Sequence, residues 1–148
     1  MQTQRMWNGA RAAAAVGFAV AVALNATSGQ AQATRTVWDG VYTTAQAERG
    51  AKNINACTVC HGENLRGGAG APAIAGNDFL FGWNAKTAGE LFTYIRQEMP
   101  PGQAGAFSEE EYAEILAAML RASEFPASET AELKPADLAG ITILREKP

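Results

Sequence analysis

Five consecutive residues, Cys57-Thr58-Val59-Cys60-His61, contain both cysteines and the single histidine of this 148-residue chain. No other feature limits the fold as strongly. Whatever those three side chains hold is reached from one short piece of backbone, with no distant cysteine or histidine to complete a site. A structural zinc centre needs four ligands, mostly Cys and His in pairs, and is excluded. Sites built from two or three histidines are excluded too, and two cysteines cannot staple a disulfide-rich miniprotein. Downstream lie Gly62, Gly67, Gly68, Gly70, Gly76 and Gly82. A stretch this long is uncommon as a simple connector in a compact domain. It must wrap around something.

The first 33 residues have a different character. Arg5 and Arg11 precede an apolar run from Ala12 to Leu24, and a small-residue region ends at Ala31-Gln32-Ala33. Basic, apolar and small-x-small segments in that order read as a secretory signal peptide, residues 1–33, cleaved near Ala33. The apolar run is shorter than the roughly 20 residues of a spanning helix, so no stable membrane insertion is expected after cleavage. The arginines are not adjacent and no cysteine follows the cut, so neither a twin-arginine signal nor a lipid anchor is indicated. The remaining 115 residues carry ten basic and fifteen acidic side chains, a formal charge of −5. With no Lys/Arg block, nucleic acid is not an expected partner.

The rest predicts an all-α domain over 34–125 and an extended C-terminal tail over 126–148 that packs on it. Thr43 and Gln46 have capping-box spacing and predict a helix from about 44 to 56, with Ala47, Gly50, Ala51 and Ile54 on its inner face. Thr87 and Glu90 predict a second helix to about 98, with Leu91, Phe92 and Ile95 inward. Ser108 and Glu111 start a third, where Phe107 and Tyr112 are spaced as a hydrophobic staple. Its buried stripe is Tyr112, Ile115, Leu116, Met119 and Leu120. Pro126 and Pro135 keep the tail extended, with a short strand expected at Ile141–Leu144.

Two cysteines three apart and followed at once by histidine match the attachment pattern of a c-type haem. Each thiol adds to one porphyrin vinyl group, one helical turn reaches both, and His61 becomes the proximal iron ligand. A thioredoxin-like dithiol expects a βαβ surround, whereas the pattern here is helical. A plain disulfide leaves the histidine and the glycine loop unexplained. For the iron's other axial position, Met1 and Met6 depart with the leader, leaving Met99 and Met119. Met119 falls in the buried stripe of the last helix, where core packing is its simplest role. Pro100 disfavours helical backbone at Met99 and places its thioether on a stiff, extended loop. Met99 is the expected second ligand, on the side opposite His61.

These residues resemble those of a class I monohaem cytochrome c, over about Val37 to Arg121. The run Gly70-Ala71-Pro72-Ala73-Ile74-Ala75-Gly76 resembles that family's loop after the haem histidine, which implies that the Pro72 carbonyl accepts the histidine Nδ1–H. Met99-Pro100 is similar to the axial methionine segment, and Ser108–Leu120 to the C-terminal helix that crosses the first. The stretch Val37-Trp38-Asp39-Gly40-Val41-Tyr42 resembles small cytochromes found beside, or fused to, quinoprotein dehydrogenases. In relatives, residues similar to Arg66 and Trp83 contact haem propionates. The chain departs from the pattern on both crossing helices. Ile54 takes an aromatic position, Gly50 lies one residue nearer Cys57 than usual, and no aromatic stands near Ala118, which implies a smaller or shifted crossing.

The function implied is that of a periplasmic one-electron carrier with one covalently bound haem c, and not an enzyme. Its partners would be redox proteins, such as a quinoprotein dehydrogenase or a terminal oxidase, docked transiently by a monomer. Two alternatives stay open. One is a haem domain with a labile methionine that binds peroxide or gases; the other is haem-free thiol–disulfide exchange.

Overall fold

The computed structural model describes residues 35–68 and 70–148; the leader and its cleavage point lie outside the described residues. Four helices build the domain: α1 (Thr44–His61), α2 (Gly76–Trp83), α3 (Ala88–Glu98) and α4 (Glu109–Ala122). Three of them begin where side chains satisfy the first free backbone N–H groups. Thr87 with Glu90, and Ser108 with Glu111, form reciprocal capping boxes as expected. Backbone N–H donation from the cap residue holds each of those glutamates below the usual carboxylate range. Phe107 stacks edge-on against Tyr112 at 5.5 Å, closing the staple at the start of α4.

At α1 only half of the expected box forms. Thr43 accepts from the Gln46 N–H, but the Gln46 side chain turns away and is 3% exposed. Its amide donates to the Leu133 carbonyl at 2.8 Å and accepts from the Leu133 N–H at 2.9 Å. A buried amide with both functions paired is worth more to the fold than an exposed cap. The helix also runs past its expected end, through the whole Cys57–His61 motif. Core periodicity stops at Ile54 because the following turns face a cleft rather than packed side chains.

The most extensive helix contact is between α1 and α4. It closes on Gly50, where an added Cβ would stand 1.8 Å from the Glu114 carbonyl oxygen. Backbone approaches backbone here, so the crossing is close rather than reduced, although Ile54 and the region of Ala118 stand where the resemblance places aromatics. Ala118 and Ile54 are both buried near it. At the rim Arg49 bridges Glu114 and Glu132, and Thr43 donates to Glu132 at 2.9 Å. Exposed pairs of this kind contribute roughly 0–1 kcal/mol each. Their role is to align α1, α4 and the tail.

Two features depart from the expected layout. The glycine-rich stretch contains α2, which has no side-chain cap of its own because Ala75 holds the N-cap position. Its first N–H, from Gly76, instead donates to Ser123 Oγ at 3.0 Å, at the end of α4. The tail is not merely extended over the surface. Leu133, Leu138, Ile141 and Ile143 are buried, and residues Pro135–Gly140 form a 3-10 turn against α3. Beyond it, β2 (Ile141–Thr142) pairs in parallel with β1 (Arg35–Thr36), a shorter strand than expected. Ile143 also exchanges backbone hydrogen bonds with Ala85 and Lys86, both at 2.8 Å.

Candidate functional site

The last turns of α1 present Ala56, Cys57, Cys60 and His61 to one apolar cleft. Pro72, Ala73 and Ile74 line it from the glycine-rich loop, and Phe79 and Trp83 from α2. Leu91, Tyr94 and Ile95 of α3 continue the wall into Met99, Pro100 and Pro101, and Tyr112, Ile115 and Met119 of α4 complete it. The cleft volume is about 270 Å³, near the lower end for ligand clefts, which are roughly 300–1,000 Å³. Among its lining residues Asp78 alone is charged.

The local backbone explains how the motif is presented. Gly62 ends α1 with φ 81° and returns its N–H to the Thr58 carbonyl. The chain then folds back tightly: Gly67 N–H donates to the His61 carbonyl, and the N–H groups of Ile74 and Ala75 both donate to the Leu65 carbonyl. This return places the Pro72 carbonyl 2.6 Å from His61 Nδ1. A carbonyl can only accept, so Nδ1 carries the proton and Nε2 keeps its lone pair for a ligand. Both thiols are free, Cys57 half-buried and Cys60 exposed. Burial, with a smaller contribution from Cys60, pushes the Cys57 thiol above its ordinary value. That is the reverse of a dithiol redox site, which needs a stabilised thiolate. Among the described residues no three His, Cys, Asp or Glu side chains converge as a metal site.

Met99 is the C-cap of α3, in extended backbone (φ −126°, ψ 141°), as the following proline requires. Its N–H donates to the Ile95 carbonyl at 3.0 Å, and its carbonyl accepts from the Tyr112 hydroxyl at 3.1 Å. Met119 also lines the cleft but is 2% exposed, packed within α4. Thus Cys57, Cys60, His61, Pro72 and Met99 come together in one cavity. Trp83 joins them, stacked near Phe79 and Tyr94 with Lys86 Nζ 4.7 Å above its ring. Arg66 does not. Its guanidinium donates to the Ala122 carbonyl at 3.1 Å, filling the space left by the missing side chain of Gly76 and tying the loop to the end of α4.

A family model described as cytochrome c oxidase, cbb3-type, subunit III, matches residues 45–117. That span starts in the first turn of α1, ends within α4, and contains all five convergent residues. The match supports a c-type cytochrome domain over these residues. Comparisons with curated proteins and with solved structures gave no match. The cofactor of such a domain is a covalently attached haem c, and the Cys57/Cys60 pair lies within the matched residues. The cleft fits such a group on its own evidence. Its walls are apolar, two free thiols stand one helical turn apart at its rim, and an imidazole with its nitrogens differentiated stands beside them.

Two cleft residues were not visible as such in the sequence. Tyr112 read only as a staple partner, although its hydroxyl reaches the Met99 backbone. Asp78 lies in the unforeseen α2, and no local spacing signals that it would face the cleft.

Proposed function

We propose that this cytochrome is an exported, His/Met-ligated one-electron carrier. The observation that carries this is the convergence of Cys57, Cys60, His61 and Met99 on a single apolar cleft, with His61 Nδ1 engaged by Pro72. Bound haem supplies reversible one-electron exchange at its iron. Cys57 and Cys60 would hold the macrocycle by thioether bonds, and His61 Nε2 and Met99 Sδ would be the chain's ligands to its iron. Two ligands from the chain would leave the iron no position for oxygen or substrate, so the protein would carry electrons without bond chemistry of its own. The soft thioether favours the ferrous state, and the apolar walls act in the same direction by penalising added charge.

The apolar side chains of Val59 and Phe81 are 81% and 78% exposed, next to the cleft-lining residues Cys60 and Gly82. Exposed apolar side chains adjoining cleft residues suit brief docking, since a carrier must also leave. The oxidase named in the matching family model makes a terminal oxidase the natural acceptor, and the Val37–Tyr42 segment keeps a quinoprotein dehydrogenase as donor. Arg5, Arg11 and the apolar run that follows support export to the periplasm. No helix among the described residues is long and apolar enough to cross a membrane.

The spectrum of the reduced and oxidised protein tests this assignment. A low-spin c-type spectrum with a weak far-red sulfur-to-iron band in the ferric form is expected. A high-spin spectrum that shifts under carbon monoxide would replace it with an open, ligand-binding site. Cys57→Ala with Cys60→Ala should yield protein without covalent haem, read as loss of haem stain on a denaturing gel. Asp78→Asn should raise the potential by tens of millivolts, because a carboxylate at the cleft stabilises the ferric charge. Potentiometric titration of both forms checks the sign.

A further inference from the structure

Met99 owes its position to two hydrogen bonds, and one of them comes from outside its own helix. The Ile95 carbonyl holds the Met99 N–H within α3, while Tyr112 of α4 donates its hydroxyl to the Met99 carbonyl at 3.1 Å. Tyr112 is 2% exposed, and its ring stands between Phe92 of α3, edge-on at 6.4 Å, and Phe107, edge-on at 5.5 Å. Two aromatic edges leave the phenol little freedom, so the hydroxyl is delivered to a set place. Beyond Met99 the segment is held by a turn in which the Gln103 N–H donates to the Pro100 carbonyl and the Gly105 N–H to the Arg96 carbonyl, and neither bond reaches Met99 itself. Pro100 and Pro101 carry no N–H, and Gly102 follows with φ 79°.

We propose that Tyr112 is the positioning residue of the axial methionine: by fixing the Met99 carbonyl it keeps the thioether within reach of the iron. This rests on Met99 being the second ligand. The ferric state makes the proposal testable, because iron(III) holds a thioether weakly and competing ligands then expose any loosening of the loop. Removing the hydroxyl while keeping the ring should raise the population in which Met99 has swung away. An added ligand binds only that population, so its apparent affinity rises in proportion.

The test is imidazole titration of the ferric holoprotein, followed by loss of the far-red sulfur-to-iron band. Tyr112→Phe should bind imidazole about two- to tenfold more tightly, the range that one neutral hydrogen bond supplies. Ile143→Val trims the buried tail and leaves both the Tyr112 ring and its hydroxyl in place; it should lower the thermal midpoint and leave imidazole affinity at the wild-type value. Unchanged affinity in Tyr112→Phe, with the band present in wild type and absent in Met99→Ala, would overturn the positioning role and leave methionine ligation standing. Absence of the band in wild type, with Met99→Ala spectrally identical to it, would overturn both.

Discussion

Gly50→Ala should lower the thermal midpoint of the holoprotein by about 10 °C or more, the largest effect expected of any single methyl group in the domain. Two contributions oppose each other. Alanine is the better helix former, and in the middle of α1 the exchange would stabilise by roughly 0.5–1 kcal/mol if nothing else changed. Against this, the new Cβ would lie 1.8 Å from the oxygen and 2.2 Å from the carbon of the Glu114 carbonyl. Neither partner is a flexible side-chain tip, so α1 and α4 must part along their crossing. Overpacking of a close core contact costs typically 1–3 kcal/mol, occasionally more, and a clash between two backbones belongs at the upper end. A net loss of about 2 kcal/mol corresponds to roughly 8–16 °C for a domain near 100 residues. Calorimetry decides the matter. A midpoint equal to that of wild type would mean that the crossing is looser than described.

Met99→Ala should abolish the far-red band and lower the reduction potential by on the order of a hundred millivolts, within the about 0.8 V span that axial ligands cover. The direction follows from chemistry alone. A thioether stabilises ferrous iron, and replacing it by water or hydroxide favours the ferric state. Met119→Leu conserves volume in the α4 core, a class of exchange that costs less than about 1.5 kcal/mol, and should keep both the band and the potential. Potentiometry of the two variants side by side separates the candidates. Reversal of the two outcomes would assign ligation to Met119.

The attachment residues were legible because covalent chemistry demands them contiguously. Two vinyl groups and one iron are met by a single turn of helix, so Cys57, Cys60 and His61 must stand together in any chain that uses them. Met99 became the candidate second ligand by elimination, and Pro100 explains the extended backbone found there. Capping boxes and the α4 stripe were legible for the same reason, since each is a contact between residues three or four apart. Pro72 required the likeness to a known loop. The partner of Arg66, the Ala122 carbonyl, is 56 residues away and leaves no local pattern.

What the sequence by itself determined, then, is every element whose cause is local: the three capped helices, the proline-bounded methionine and the attachment motif. The tertiary structure decided the rest. It turned Gln46 from a cap into a clamp on Leu133, started α2 from Ser123 of another helix, and drew the tail into the core through Leu138 and Ile143. It also brought Tyr112 to Met99 and set Gly50 against Glu114. The physical reason is the same in each case. A polar group satisfied by a neighbour leaves a spacing in the chain, whereas one satisfied by a distant residue exists only after the hydrophobic core has brought the two together.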